Sequence, residues 1–168
     1  MHRTIALVQD ILVIEVYNSF PVAIIHGGTA IWRCYGGNRF SEDLDVYLPH
    51  NAKRANARNF LSNLKRKGFT VDKWKTTGNS IYGKFSSLGV SVRYEALFKN
   101  IRDFTVKHFE MSDGTFIIVN TLSPEQMIEE KVLAYLARKK VRDLYDVFFL
   151  LRFVENVTEV KDYLDRLM

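Results

Sequence analysis

Two aspartates separated by one residue, Asp43 and Asp45, open an apolar run that ends at Leu48 before Pro49. In a strand, side chains two apart point to the same face, so the two carboxylates are neighbours. Like charges that close repel unless water or a cation compensates them. Hard divalent cations take oxygen ligands, and Mg²⁺ commonly uses one or two protein carboxylates plus substrate phosphates. A pair of Mg²⁺ (or Mn²⁺) ions working on a phosphoryl group calls for a third carboxylate from a neighbouring strand. Glu95 is the candidate, because Val90, Val92 and Tyr94 alternate with Ser91, Arg93 and Glu95. Glu110 and Asp113 are possible substitutes. A D-x-D pair alone is more often a solvated strand end.

Upstream, the run VAIIH meets Gly27-Gly28 and then a short helical pattern. A strand, a glycine pair and a helix start allow backbone N–H groups to approach a phosphate closely, with the helix dipole assisting. The bland reading is a tight turn that needs glycine. Thr29 could add a hydroxyl, and Arg39 and Ser41 just before the carboxylates could contact a triphosphate. A phosphate cradle upstream and a carboxylate pair downstream are the two halves of an NTP–metal site.

Near the C-terminus, Ser123-Pro124-Glu125-Gln126 predicts a capped helix start. At the helical period Lys131 falls within the arc of Met127, Ile128, Val132, Tyr135 and Leu136, with Glu129 and Glu130 outward. On the next helix Asp143 falls among Leu144, Val147, Leu150, Leu151 and Val154, with Asp146 at the edge of that arc. An inward lysine must find an anion, shift its pKa or reach back to water. A Lys131–Asp143 ion pair between the helices answers this, and so does a lysine that reaches NTP phosphates with Asp143 orienting it. Arg138 and Arg142 are further candidates for phosphate contacts.

These residues resemble a known family. The spacing of a glycine pair, fourteen residues and D-L-D is similar to the signature of the nucleotidyltransferase superfamily. The fuller string GGTA…R-F-S-E-D-L-D, with SPEQMIEEKVLAYLARKKVRDLYDVFFLL, resembles the AbiEii/MenT-type nucleotidyltransferase toxins of type IV toxin–antitoxin systems. The resemblance implies a nucleotidyltransferase fold, active-site roles for Lys131 and Asp143, and a cognate antitoxin. This chain departs from the family pattern by having His26 before the glycine pair and by being short.

The elements that must position these groups are readable in outline. Helices are expected over 4–18, 28–35, 52–67, 124–137, from about 142 through VFFLLRFV, and over 158–166. Strands are expected near 22–26, 44–48, 69–75, 80–87, 90–98 and 115–120. This is a mixed α/β (α+β) pattern: a twisted mixed sheet flanked by helices, read as one compact domain over 1–168. Its catalytic core would be 1–120, with helices 121–168 closing the cleft.

The 168 residues are 47% hydrophobic and 26% charged, as in ordinary globular proteins. No apolar run is long enough for a membrane span. With no leader-like start and a single Cys34, neither disulfide nor cysteine-cluster chemistry is expected, and a cytoplasmic location is. The net charge of +5 is uneven: residues 51–84 carry nine Lys/Arg against one acid. Such a segment suggests a polyanion, nucleic acid first. It begins six residues after Asp45, so Lys53, Arg54 and Arg58 are read as an acceptor-binding surface beside the carboxylates.

The combined expectation is metal-dependent transfer of a nucleoside monophosphate from an NTP to a hydroxyl, releasing pyrophosphate. The resemblance and the basic segment favour RNA as acceptor, a tRNA 3′ end above all. A Ser, Thr or Tyr hydroxyl of a partner protein is the alternative. A nucleotide- or RNA-binding module without catalysis is the second.

Overall fold

The structure, a computed structural model, describes residues 1–52 and 54–167. Helix α1 (His2–Ser19) is followed by strand β1 (Ile24–His26), helix α2 (Gly27–Tyr35), strand β2 (Leu44–Leu48) and helix α3 (Arg54–Arg66). Strands β3 (Thr70–Thr76), β4 (Ser80–Ser87), β5 (Val90–Phe98), β6 (Thr105–Glu110) and β7 (Phe116–Thr121) come next. Helices α4 (Pro124–Arg138), α5 (Val141–Leu150) and α6 (Val157–Asp165) end the chain. The fold is mixed α/β, as the patterning predicts.

All seven strands form one sheet in the order β3-β4-β5-β2-β1-β7-β6. Strands β2 and β5 run parallel, as do β1 and β7, and the other neighbours are antiparallel. Strand β6 is the one element that the sequence pattern does not announce. Of its six residues only Phe109 is buried, so the apolar alternation that marks a half-buried strand is missing. It forms as an edge strand because β7 supplies its hydrogen-bond partners. The run VFFLLRFV does not continue as one helix: α5 stops at Leu150 and a 3₁₀ turn spans Leu151–Phe153.

The two faces of the sheet are covered unequally. One carries Leu44, Val46, Leu48, Val92, Tyr94 and Ala96, all buried beneath α1 and α3. Phe60 of α3 fills this core, with ring centroids 5.3 Å from Tyr94, 5.8 Å from Phe85 and 6.2 Å from Trp74. Gly83 makes room there, since a Cβ would lie 2.7 Å from the Phe85 ring.

The other face carries Asp45, Tyr47 and His26, which are register partners or next-but-one neighbours on β2 and β1. Helix α4 lies against it through Glu130, which accepts hydrogen bonds from His26 Nδ1 (3.1 Å) and from the Tyr47 hydroxyl. Glu130 is therefore inward, not outward as the helical period suggests. The wheel places it away from the arc that packs on α5, but that side of α4 meets the sheet. The start of α4 follows its sequence signal, with Ser123 and Gln126 closing a reciprocal capping box.

Phe60→Ala removes the ring that docks α3 on the sheet, and a cost of about 3–5 kcal/mol is expected in urea unfolding. A loss below about 1 kcal/mol would show that α3 is not held by this cluster.

Candidate active site

Strand β1 ends at His26, and α2 begins at once at Gly27, whose φ of +71° suits glycine. A Cβ on Gly27 would lie 2.6 Å from Asp45 Oδ2. On Gly28 it would lie 2.6 Å from Ser41 Oγ and 2.9 Å from Arg39 Nη2. The glycine pair thus lets a carboxylate, a hydroxyl and a guanidinium crowd the N-terminus of a helix. The first N–H groups of that helix have no intrahelical acceptor.

Asp45 is opposite Glu95 on β5 and opposite His26 on β1. Burial raises the pKa of its carboxyl group. The nearby charges of Asp43 and Glu95 raise it further, while His26 and Lys131 pull the other way. So the three expected carboxylates do share one neighbourhood. They do not converge as ligands, and among the described residues no group of three His, Cys, Asp or Glu side chains could hold a metal. Arg93, two residues before Glu95, occupies one of the carboxylates. It donates from Nε and Nη2 to both oxygens of Asp43, at 2.8 and 2.7 Å. Glu110 and Asp113 lie elsewhere, at the β6–β7 hairpin, where Asp113 accepts from Thr115 N (2.9 Å) and Oγ1 (2.7 Å).

The loop before β2 is pinned from beneath. Gln9 Nε2 of α1 donates to the Ser41 carbonyl (2.9 Å) and the Asp43 carbonyl (3.4 Å). The Thr29 hydroxyl also donates to the Asp43 carbonyl. Thr29 is fully buried, so its hydroxyl positions the loop instead of facing a triphosphate. Ser41 and Gly28 do line the cleft. His26 stacks on Tyr47 with centroids 3.8 Å apart.

Lys131 points inward, as the helical period predicts, with 8% of its surface exposed. Its near partner is Asp146, at 2.6 Å, and Asp143 is 3.9 Å away. Asp143 instead accepts from Arg138 Nε (2.8 Å) and Nη2 (2.6 Å). Asp146, at the edge of the apolar arc, is bound by Arg39 Nε (2.8 Å) and Nη2 (2.7 Å). The expected Lys131–Asp143 contact is therefore secondary, because the crossing of α4 over α5 brings the last residue of D-x-x-D nearer the lysine. Burial raises the Asp143 pKa, but the hydrogen bond from Arg138 and the charges of Arg138, Lys131 and Arg142 outweigh it, so the net shift is downward.

These groups enclose a cleft of about 290 Å³ lined by Arg39, Arg93, Lys131, Arg138 and Arg142 facing Asp43 and Asp45. Sequence reasoning missed Gln9 and Arg93 and left Asp146 at the margin. The signals were faint: a glutamine inside an apolar helix, an arginine on the same strand face as Glu95, and a second aspartate one helical turn after Asp143. Of the expected acceptor surface, Lys53 and the side chain of Arg54 lie outside the described residues. Arg58 is exposed on α3, beside Leu61, Trp74 and Thr76–Gly78, and not at the cleft. Helix α3 starts beyond the far end of β2 and covers the opposite sheet face, so proximity in sequence to Asp45 did not become proximity in space.

A lowered folded-state pKa means that Asp143 stabilises the fold above the ordinary aspartate value of 3.8. That contribution fades as the pH falls through the lowered value. Asp143→Asn should cost about 1–3 kcal/mol at neutral pH, with the gap to wild type closing in acid. Urea unfolding over a pH series measures this, and a pH-independent gap would mean that the charge is not what stabilises.

The comparisons with known proteins agree with this fold. A family model described as nucleotidyl transferase AbiEii toxin, type IV toxin–antitoxin system, matches residues 14–167. No curated protein sequence matches the chain. Among solved structures, JHP933 from Helicobacter pylori superposes with a TM-score of 0.64 at 23% identity, over 94% of this chain and 73% of its own. A candidate nucleotidyltransferase from H. pylori gives a TM-score of 0.65 at 23% identity, over 94% and 76%. The antibiotic-resistance factor ANT(2'')-Ia gives 0.60 at 15% identity, over 95% and 91%. At such identities the structural likeness speaks for the fold, and the family model, spanning nearly the whole chain, speaks for descent. The chain belongs to the AbiEii nucleotidyltransferase toxin family of type IV toxin–antitoxin systems.

Proposed function

We propose that this nucleotidyltransferase moves a nucleoside monophosphate from an NTP to a hydroxyl of RNA, a tRNA 3′ end being the preferred acceptor, and releases pyrophosphate. The observation that carries the reading is the crowded glycine turn. Gly27 and Gly28 bring Asp45, Ser41 and Arg39 against the N-terminus of α2, across the cleft from Lys131.

The carboxylates suit a divalent ion once Asp43 is released from Arg93. Asp45, Asp43 and Glu95 share a neighbourhood: burial first, and then the charges of Asp43 and Glu95, raise the Asp45 pKa, and a cation would relieve that repulsion. Asp43, Asp45 and Glu95 would hold Mg²⁺ or Mn²⁺, two ions on this reading, and Asp43 would first leave Arg93. Bound there, the metal would supply charge neutralisation at the reacting phosphate and a more acidic acceptor hydroxyl.

The protein's own groups account for the rest. The Gly28 backbone, Ser41 and the start of α2 seat the triphosphate. Lys131, with Arg39, Arg138 and Arg142, stabilises the charge that grows on the pyrophosphate oxygen. The acceptor oxygen bonds to the α-phosphorus as the bond from that phosphorus to the pyrophosphate oxygen breaks, and the acceptor proton passes to solvent. Asp143 and Asp146 hold Arg138, Arg39 and Lys131 at the cleft wall and so act as positioning residues. Membership of a type IV system implies a cognate antitoxin as a further partner. No described helix is long and apolar enough to cross a membrane, and we assign the enzyme to the cytoplasm with its RNA and NTP.

Incubation with each α-labelled NTP, Mg²⁺ and total RNA tests the reading. Label should enter RNA and be abolished by a chelator. Asp45→Ala and Lys131→Ala should each lower the rate by at least about 100-fold. Activity that survives Asp45→Ala would overturn the metal assignment. Label confined to protein would replace RNA by a protein hydroxyl, and NTP binding without any transfer would mark a binding module.

A further inference from the structure

The basic segment 51–84 is divided by the fold, and its two halves end on opposite faces of the sheet. Helix α3, with Arg58 and Arg66, covers the apolar face. The strand half does something different. Register partners across a sheet project from the same face, and adjacent strands are about 4.8 Å apart. Lys75 is opposite Tyr82, Tyr82 opposite Glu95, and Glu95 opposite Asp45. One step along, Lys73 is opposite Lys84 and Lys84 opposite Arg93, which binds Asp43. Two rows of side chains therefore run across β3, β4 and β5, and each ends at a carboxylate of the candidate active site.

This wing of the face is open. Helix α4 covers Tyr47 and His26 on β2 and β1 but does not reach β3 or β4. Lys73, Lys75 and Lys84 are exposed and make no salt bridge with any described residue. Tyr82 stands between them, with Lys73 Nζ 5.0 Å from its ring centroid. The acid of this wing, Asp72, sits at the far corner and accepts from the Ser86 and Ser91 hydroxyls. Cations interleaved with an aromatic on an open sheet are what single-stranded nucleic acid requires, because phosphates pair with the lysines and a base stacks on the ring.

We infer that the open face of β3–β4–β5 is the track along which a single-stranded RNA end reaches the active site, with Lys73, Lys75 and Lys84 on its phosphates and Tyr82 beneath a base. The inference rests on the RNA-acceptor reading above and moves the acceptor surface from α3 to the sheet. About three strand spacings, some 14 Å, separate Lys75 from Asp45. The track leads a terminal hydroxyl past Glu95 to the carboxylates, on the side of the cleft away from Lys131.

The test is binding of a short fluorescein-labelled single-stranded RNA by anisotropy over a salt series, beside label transfer and NTP binding. The triple variant Lys73→Gln, Lys75→Gln, Lys84→Gln should weaken RNA binding at least about tenfold and flatten the log–log salt slope by about 2. Tyr82→Ala should weaken it about tenfold with the slope unchanged. Both should keep wild-type NTP affinity and melting temperature, since the substituted side chains are outside the core. The control Arg58→Gln, Arg66→Gln on α3 should bind RNA as wild type does. Unchanged RNA affinity in the triple variant, or an equal loss in the α3 control, would overturn the track. Transfer to RNA that persists in that case leaves the function reading intact. RNA binding that depends on the three lysines, without any transfer, would support the track and reject the function reading. No RNA binding by the wild-type protein would reject both.

Discussion

The Asp45 carboxylate lies where a side chain on residue 27 would collide with it, and the surrounding structure is built to hold it there. Position 45 is set by β2, and β2 is clamped between β1 and β5 by backbone hydrogen bonds on both sides. Position 27 is set by the abrupt change from β1 to α2, which a positive φ permits. Holding a carboxylate in a partly buried place beside two others is unfavourable by itself, as its raised pKa records. Strand pairing and the buried core beneath it supply the rigidity that prevents relaxation.

That concentration of negative charge explains the cations around it. Arg93 closes on Asp43, while Lys131, Arg39 and Arg138 are held by Asp146 and Asp143 from the α5 side. Asp43, Arg39, Lys131 and Arg138 thus each have a partner, and the Asp43–Arg93 pair is at the cleft surface and can exchange. On the proposed function, a triphosphate with divalent ions would offer both members of that pair a substitute: a cation for Asp43 and a phosphate for Arg93. The buried lower layer, made of Asp143 and Asp146 with Lys131, is the part that keeps its geometry, because separating a buried pair is costly.

The same sheet gives each face a different task. Aromatic packing under α1 and α3 makes one face structural. The other face is covered only at its centre by α4, so charged residues on β3, β4 and β5 remain in water and in line with Asp43 and Asp45. A helix that crosses from the end of β2 to the start of β3 must lie on one side of the sheet. The side chosen here leaves the carboxylates accessible.

Much of this was legible in the residues themselves. The strand at Leu44–Leu48, the glycine turn, the capped start of α4 and the inward position of Lys131 follow from local periodicity and turn chemistry, which depend on neighbours a few residues apart. Strand β6 was not legible, because an edge strand needs a partner more than a pattern. Nor was the choice among charges. Periodicity set Lys131 and Asp143 facing inward, but helix crossing decided that the lysine meets Asp146 first. Strand alternation put Arg93 and Glu95 on one face, but register decided that Arg93 reaches Asp43. The sequence by itself determined which side chains face inward and where the backbone can turn. Only the tertiary structure decided which charges meet, because ion pairing depends on distances between elements that are remote in the chain. For the same reason it put Lys73, Lys75 and Lys84 of the basic segment, and not its helix, on the face that holds the carboxylates.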